Sequence, residues 1–471
     1  MARMRLLDLV RPFTSLLPEV SKPYHKVDTE DRILYSVAAA LFFVLLAEVP
    51  LYGTKDAVSP ADPIAWLRPA LSMSYGTPAE LGLLPIVLSG VLIQGLAGLR
   101  KINVSLDLRA DRVLFQTLQK FVALGIAAVL AVVLAFAPGY YEGANPLFTA
   151  TQVFFGSAVT IVLDEVLSKG YGYVPGTVLF PLVSASQYFA WQLLGLDRVP
   201  VLGTDFSIVY GVIPSFVGNF SSRSYSYAFS DLIFRVGAPN LLSIAAAVAV
   251  FCATLYLSLI RLNLQIRSTR MRAQSAAFPV RLFYTGVVPL MFALSVLATV
   301  LLLSYAAAAF LGNSNPVVQV LGQWDQATGA PVGGLASLLV PAYSTNPLIV
   351  ALRAVACAVS LGFTSAYIAN VWVKSSGFAP ADIAKQFKEQ SIVLVGKRDV
   401  TVAKELRQIV PLAATTGGAI LGLFVGTADV LGPAGAGAIM SIAALNVFSV
   451  FEQLASEGMS GQDVLQGLMS Q

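Results

Sequence analysis

Ten long apolar runs divide this chain, and they constrain its fold more than any other feature of the sequence. Each run contains at least the roughly 17–25 mainly apolar residues that an α-helix needs to cross the hydrocarbon core of a bilayer. Helices are the sensible spanning element, because their backbone groups are all satisfied within one segment. Only 12% of the 471 residues are charged, against about 25% in soluble domains. The chain is therefore predicted to be an all-α polytopic membrane protein with ten transmembrane helices.

The ten predicted spans fall into two sets of five. An odd number of spans in each half makes the second half cross in the opposite sense, which is the inverted-repeat arrangement. This inference depends on counting spans, because no convincing sequence repeat relates the two halves. The predicted spans are residues 33–52, 76–96, 113–137, 147–167, 176–196, 238–260, 282–310, 346–373, 408–427 and 435–454.

Lys and Arg residues are distributed unevenly between the predicted loops. Most of the 30 lie in the N-terminal tail and in loops on the same side of the membrane, so the positive-inside rule predicts that both termini are cytoplasmic. The predicted organisation is a cytoplasmic N-terminal segment (1–32), a first five-helix half (33–196), an external loop (197–237) and a second five-helix half (238–471) with basic cytoplasmic loops at 261–281 and 374–407.

The sequence lacks the motifs of several enzyme and transporter classes. It has no G-x-x-x-x-G-K-[ST] or H-E-x-x-H motif, and its one histidine is His25, so neither a P-loop ATPase nor a histidine-rich metal centre is expected. No catalytic constellation, cofactor or metal site is predicted. Carboxylates near the middle of the spans are scarce, which argues against an ion-coupled transporter. A ten-span secondary transporter of a small solute stays open as the alternative, since polar backbone could still coordinate an ion.

A short amphipathic segment, residues 62–72 (DPIAWLRPALS), lies between the first two predicted spans. It is too short to cross a bilayer, and the Tyr75-Gly76-Thr77-Pro78 stretch after it predicts a turn. It could lie at the membrane surface with Trp66 at the headgroup level. It could equally be a re-entrant element that lines a cavity inside the protein. The residues alone leave both interpretations open.

Several stretches closely resemble the SecY family of protein-conducting channels. They include KQFKEQSIVLVGKRD, ELRQIVPLAATTGGA, FPVRLFYTGVVPL and GTPAELGLLPIVLSGVLIQGLAG, and they occur in the family's order over nearly the whole chain. The resemblance implies a clamshell of two inverted five-helix halves around an hourglass pore. It also implies a re-entrant plug at residues 62–72 and a lateral gate between the second and third spans on one side and the seventh and eighth on the other.

The resemblance also implies a function: the central pore-forming subunit of the Sec protein translocase. Such a subunit is a passive channel that conducts unfolded secretory polypeptides and releases transmembrane segments laterally into lipid. The resemblance implies three sets of site residues. They are the pore ring (Leu83, Val87, Thr177, Pro181, Met291 and Ile442), the plug (Asp62, Pro63, Ile64, Ala65, Trp66, Leu67 and Arg68) and three lateral-gate positions that are often polar in the family (here Leu88, Gln119 and Val287).

The chain departs from the family at two of these places. Thr177 and Pro181 stand where the family usually has isoleucines, so this quadrant of the ring is expected to be less apolar and locally irregular. At the gate, Gln119 matches the family, whereas Leu88 and Val287 replace its usual Thr and Asn. A drier gate is expected to stay shut more firmly against weakly hydrophobic signal sequences.

The resemblance also implies several partners for the channel. Arg270, Arg272, Lys397 and Arg398 match the basic positions of the two ribosome-contacting loops. SecE-like and beta-like small membrane subunits, nascent polypeptides with signal sequences and the lipid bilayer are the other implied partners. The expected location is the plasma membrane of an archaeon, which the whole pattern favours, or the endoplasmic reticulum if the chain is eukaryotic.

Overall fold

A computed structural model describes most of the chain, with gaps mainly in the loops. The described residues are 11–13, 19–54, 62–99, 109–141, 143, 145–200, 207–222, 225–235, 238–268, 275–325, 329–340, 347–375, 379–389, 392–394, 399–431 and 435–469.

Ten long helices occupy the positions of the ten predicted spans, and they are referred to as the first to the tenth span. In order, they are Thr29–Glu48, Leu84–Gly98, Arg109–Phe136, Pro146–Val166, Gly176–Leu194, Leu241–Leu259, Val288–Leu311, Pro347–Ser375, Asp399–Leu431 and Ala436–Met469. Among the described residues, seven of these helices are long and apolar enough by themselves to cross a membrane.

The first, second and fifth spans are the three that are too short or too polar for that criterion. The second span has only 15 helical residues. The first begins with the charged residues Glu30, Asp31 and Arg32, and the fifth contains Ser and Gln residues.

Two spans begin later than the sequence predicts. The second was expected to start at residue 76 and the seventh at residue 282, but their helices begin at Leu84 and Val288. Gly76, Gly82 and Gly286 have positive φ angles of 70°, 45° and 63°, which the interior of a right-handed helix excludes. The apolar composition on either side of these glycines concealed the irregular backbone.

Strands occur only outside the spans in the described part of the chain. They are β1 (Arg198–Pro200), β2 (Ser207–Val209), β3 (Arg261–Ser268), β4 (Ser275–Arg281), β5 (Gln323–Trp324), β6 (Pro331–Gly333) and β7 (Ile392–Leu394). The order β4-β3-β7 is the important one, because it joins the two basic cytoplasmic loops in one antiparallel sheet.

The two predicted cytoplasmic loops also share a small apolar core with the ends of the eighth and ninth spans. The helix Pro380–Glu389 buries Ile383 and Phe387, and these pack with Leu264 and Phe278 of the sheet. The rings of Phe278 and Phe387 meet edge to face, with centroids 5.3 Å apart. The two loops, more than a hundred residues apart in the chain, therefore form a single folded unit.

In each half of the molecule, an aspartate near the end of the fourth helix caps the start of the fifth. At the end of the fourth span, the side chain of Asp164 accepts a hydrogen bond from the backbone N–H of Thr177 at 3.0 Å and so caps the fifth span. At the end of the ninth span, Asp429 accepts from the N–H of Gly437 at 2.7 Å and caps the tenth. A shared cap between the fourth and fifth helices of each half is what an inverted pair of halves predicts.

Short helical elements complete the connections. They are the π-helix Leu167–Tyr171 after the fourth span, the 3-10 helix Pro69–Leu71 before the second, the pair Val212–Ser222 and Tyr225–Phe234 between the fifth and sixth spans, and the helices Pro316–Leu321 and Gly334–Leu339 between the seventh and eighth.

Candidate functional site

Four of the predicted ring residues lie in one buried apolar cluster at the centre of the molecule. Leu83 and Val87 are one turn apart at the start of the second span, and Met291 lies in the first turn of the seventh. Ile442 lies in the tenth span. All four are almost fully buried and belong to the same cluster. Residues from the first half and from the second half therefore meet in the same apolar core.

The two departures in the ring, Thr177 and Pro181, lie on the fifth span as predicted. Thr177 is half-buried, and Pro181 is buried inside a helix that continues without a break. Because proline has no N–H, the carbonyl of Thr177 loses its usual donor four residues later. The expected irregularity thus takes the form of a missing hydrogen bond in a continuous helix.

Asn446 is a buried polar residue near the ring that the sequence analysis missed. It lies one turn after Ile442 and is fully buried. Its side-chain N–H donates to the carbonyl of Val178 on the fifth span at 3.3 Å. The signal was available, since a lone amide inside an apolar span is a functional hypothesis by default. This side of the centre is more polar than the side formed by Leu83 and Val87.

The predicted plug is packed inside the protein. It consists of turns followed by the 3-10 helix Pro69–Leu71, which contacts the fifth, seventh and tenth spans. Ile64 and Leu67 are fully buried, Pro63 and Arg68 are buried, and Ala65 is exposed. Asp62 and Trp66 are half-buried. This packing favours the re-entrant interpretation over a helix that lies on the membrane surface.

A buried polar network surrounds Arg68 of the plug. Its guanidinium forms ion pairs with Asp62 and with Glu80, the latter at 2.8 Å. It also donates to the hydroxyl of Tyr140 at 2.8 Å, and that hydroxyl donates to Glu80 at 2.7 Å. We call these four residues the plug latch. The pair with Asp62 lies within the plug, so the contacts with Glu80 and Tyr140 are the ones that depend on the plug's position. Because buried charges are costly unless they are paired, these two contacts favour the plug where it lies.

Two members of the latch, Glu80 and Tyr140, were not among the predicted site residues. Glu80 had the clearer signal, since it is a carboxylate in an apolar stretch between the plug and the second span. Tyr140 lies between the third and fourth spans, far from the plug in sequence. Its part in the network follows only from the tertiary structure.

The second half of the molecule touches the plug through Gly435. This glycine precedes the tenth span and has a φ angle of +87°. A Cβ atom placed on it would collide with the carbonyl oxygen of Trp66. The absence of a side chain therefore allows the turn before the tenth span to lie directly on the main chain of the plug.

The candidate gate lies where the second span packs against the third, seventh and eighth spans. A Cβ on Gly90 would lie 3.1 Å from the ring of Phe292 and 3.4 Å from the side-chain amide of Gln119. A Cβ on Gly98 would lie 2.9 Å from the carbonyl of Val371. Small residues on the second span let the helices approach closely, as in other membrane interfaces.

The three predicted gate positions differ in their surroundings. Gln119 lies beside Gly90 at the contact between the second and seventh spans. Leu88 is half-buried on the second span. Val287 is the N-cap residue of the seventh span, where its side chain makes no capping hydrogen bond, and it packs against the central cluster. The two apolar replacements, Leu88 and Val287, are therefore both partly buried.

An apolar cavity of about 140 Å³ lies between parts of the second, seventh and eighth spans. Phe292 and Trp372 lie on its wall and meet edge to face, with centroids 5.2 Å apart. The sequence analysis named neither residue, because an aromatic ring in an apolar run does not distinguish a gate from ordinary packing. We call this region, with Gly90 and Gly98, the gate seam.

The predicted docking residues Arg270, Arg272, Lys397 and Arg398 lie outside the described residues. The structure does describe the strands next to them. β3 and β4 flank residues 269–274, and β7 precedes residues 395–398. Because β3 pairs with β7, the two loops that carry these basic residues belong to one sheet. Docking through these four residues stays a prediction.

Comparison with known proteins identifies the family. The SecY family profile matches residues 77–454 of the chain. The chain belongs to the SecY family. The protein transport protein SEC61 subunit alpha of Candida albicans is 33% identical to this chain over 99% of both chains. The protein transport protein SEC61 of Saccharomyces cerevisiae is 32% identical over 97% of both chains.

Solved SecY-type structures share the fold. One described as a protein-conducting channel superimposes with a TM-score of 0.79 at 22% identity, covering 96% of this chain and 98% of that one. The idle yeast Ssh1 complex bound to the yeast 80S ribosome contains a chain with a TM-score of 0.76 at 28% identity, covering 96% and 95%. The ten-span clamshell predicted from the sequence is confirmed by these likenesses.

Proposed function

We propose that this chain is the central pore-forming subunit of a Sec protein translocase. It is a passive channel that conducts unfolded secretory polypeptides across a membrane and releases transmembrane segments laterally into lipid. The observation that carries the proposal is its similarity to protein transport subunits over 99% of its length. These relatives do not favour the alternative of a secondary transporter for a small solute.

The buried cluster around Leu83, Val87, Met291 and Ile442 supports a pore that is sealed at rest. Apolar side chains cannot hydrogen-bond water, so a narrow ring of them dewets and blocks ions. The same side chains can part around a passing polypeptide, since they hold one another only by packing. The plug adds a second barrier, with Ile64 and Leu67 in the same cluster.

The gate seam supports a lateral exit towards lipid. Its contacts are apolar packing around Gly90, Phe292 and Trp372, and it already contains a cavity. A hydrophobic segment that enters this seam replaces the contacts between the second span and the seventh and eighth spans with its own apolar contacts. Separation of the second span from the seventh and eighth then exposes the segment to the bilayer.

Energy for transport comes from partners in this proposal. The sequence has no P-loop, and the relatives are transport proteins, so the chain is proposed not to be an enzyme. One similar structure is a complex bound to a ribosome, which supports a ribosome as a partner at the basic cytoplasmic loops. SecE-like and beta-like subunits would complete the translocase. The protein would act in the endoplasmic reticulum, as in the canine ribosome–channel complex, or in an archaeal plasma membrane.

Site-specific photocrosslinking to a stalled secretory chain tests the proposal. A photoreactive residue at position 87 or 291 is expected to crosslink to the stalled chain, because both positions line the proposed pore. Val132 provides the control, since its side chain is half-exposed on the third span, where it would face lipid. Crosslinks of equal yield at all three positions, or at position 132 alone, would contradict a central pore.

Charge reversal tests the docking loops separately. Lys397→Glu combined with Arg398→Glu is expected to abolish salt-sensitive ribosome binding and to leave folding intact. Ribosomal RNA is a polyanion, and each lost phosphate contact lowers both affinity and its salt dependence. The measurement is co-sedimentation with ribosomes over a range of salt concentrations. Unchanged affinity would exclude these two residues from the docking site.

A further inference from the structure

The two short helices between the fifth and sixth spans have their apolar side chains on the outside. We call this pair, Val212–Ser222 and Tyr225–Phe234, the external hairpin. On the first helix, Ile213, Val217 and Phe220 are exposed and lie on one face at helical spacing. On the second helix, the exposed apolar residues include Tyr225, Phe229, Ile233 and Phe234. A helix pair that faced water would carry polar residues there.

Three polar side chains of the hairpin, Asn219, Asp231 and Arg235, have hydrogen-bond partners within the protein. The side-chain amide of Asn219 donates to Asp231 at 2.8 Å and links the two helices. Arg235, at the end of the hairpin, is buried and donates to the carbonyl of Val209 at 3.0 Å. These described charged and amide side chains thus bond within the protein, as a surrounding medium without hydrogen-bonding groups favours.

Both ends of the hairpin are tied to the ends of spanning helices. The N–H of Gly211 donates to the carbonyl of Gly195 at 2.8 Å, directly after the fifth span. The side-chain amide of Asn240, the N-cap of the sixth span, donates to the carbonyl of Arg235 at 3.1 Å. These bonds hold the hairpin at the level where the two spans reach the external edge of the bilayer.

The spans continue the apolar surface on both sides. Trp191 and Leu194 are exposed at the end of the fifth span, and Leu241 and Leu242 are exposed at the start of the sixth. The first hairpin helix contacts the fifth span, and the second contacts the sixth. The outward face of the hairpin therefore adjoins the surface that these spans present to lipid.

We propose that the external hairpin is an interfacial anchor, with its apolar face in the boundary between the headgroups and acyl chains of the external leaflet. Amphipathic helices bind this boundary with their apolar residues buried about 5–10 Å into it. Phe, Tyr and Trp side chains are suited to the same depth. The ligand is phospholipid. The hairpin also connects the two halves of the clamshell, so lipid would hold the joint between them in the plane of the membrane.

Lipid-borne and water-borne quenchers test this placement. The full chain, with Cys252→Ser and Cys357→Ala, receives a single cysteine in place of Val217 or Phe229 and a bimane label. It is reconstituted in nanodiscs of phosphatidylcholine, with or without bromine near the glycerol end of the acyl chains. Phe363→Cys, exposed on the eighth span, is the lipid control, and Lys388→Cys, exposed on a cytoplasmic helix, is the water control.

Both hairpin labels are expected to lose fluorescence in brominated lipid to an extent comparable with the Phe363 control, and to resist iodide. Quenching by iodide alone, as at position 388, would overturn the proposal. The same labels are then compared in native membranes that contain the chain's partners. Protection from both quenchers there would assign the face to a protein partner and would also overturn it. Neither result depends on translocation activity, so the proposed function is tested separately.

Discussion

The plug latch and the gate seam are the two contacts proposed to hold this channel closed, and their chemistry is opposite. The latch is a buried network of ion pairs and hydrogen bonds around Arg68. The seam is apolar, with glycines on the second span against Phe292 and Val371. One contact depends on charges that must be paired, and the other on close packing.

This difference indicates what each contact can tolerate. A buried polar network has one satisfied geometry, so a small displacement leaves charges without partners. An apolar seam can repack around different side chains at modest cost, as hydrophobic cores do. The plug would therefore behave as a two-position element. The seam would adapt to signal sequences and transmembrane segments that differ in shape.

The largest effect is expected from Arg68→Ala. It leaves Asp62 and Glu80 buried without their cation, and breaking a buried pair in this way costs about 3–5 kcal/mol. The closed plug should lose most of its advantage over displaced positions. Resting channels in a planar bilayer are then expected to conduct ions that the unmodified channel blocks.

A matched variant separates the charge from the packing. Asp62→Asn, Arg68→Met and Glu80→Gln together remove every charge of the latch and keep similar volumes. This combination is expected to leak less than Arg68→Ala alone, because no uncompensated charge stays buried. An equal or larger leak from the combination would show that packing, and not charge pairing, holds the plug.

Gly435→Ala is expected to have the next largest effect. The new methyl group collides with the carbonyl oxygen of Trp66, which is backbone and cannot rotate away. Overpacking of this kind costs about 1–3 kcal/mol, in addition to the strain of a positive φ angle. A raised resting conductance is the expected readout.

Gly53→Ala is the control for the strain alone. Its φ angle of +90° is close to the +87° of Gly435, but a Cβ at Gly53 has no neighbour within 4 Å. Its effect on conductance should be clearly smaller. Equal effects of the two substitutions would show that the strain of a positive φ angle, and not the contact with the plug, accounts for the raised conductance.

Gly90→Ala tests the adaptability of the seam. Its Cβ would meet the ring of Phe292 at 3.1 Å, and a ring at the end of a side chain can shift by a few tenths of an ångström. We expect a cost below about 1 kcal/mol and near-normal insertion of a strongly hydrophobic transmembrane segment. A marked loss of insertion of this segment would show that the seam is rigid.

The smallest effect is expected from Val287→Asn, which places a polar group at the gate. A wetter gate should open for weaker signals, so the hydrophobicity threshold of signal sequences is expected to fall. Val287 is the N-cap residue of the seventh span, and Asn is a favoured N-cap residue. Val287→Gln, which is polar but not a favoured cap, therefore separates polarity from capping. An unchanged threshold with Asn would reject the hypothesis of a drier gate.

The sequence predicted the spans better than it predicted the contacts between them. The ten helices lie where the apolar runs indicate. The second and seventh spans begin later than predicted because Gly76, Gly82 and Gly286 turn the backbone out of a helical path, and composition does not show such a turn. For the site, the resemblance to SecY named the plug and the ring. It did not indicate Tyr140, Asn446 or Gly435, because each has its role through a partner that is distant in sequence.

The sequence by itself determined that the chain spans a membrane as ten helices with its basic loops on one side. Hydrocarbon cannot satisfy backbone polar groups or Lys and Arg side chains, so these features follow from local composition. Only the tertiary structure decided which segments meet. The latch at Arg68 and the sheet that joins β3 to β7 unite distant segments within each half, and the contact of Gly435 with the plug joins the two halves. Such contacts depend on which surfaces become neighbours, and no local pattern records that.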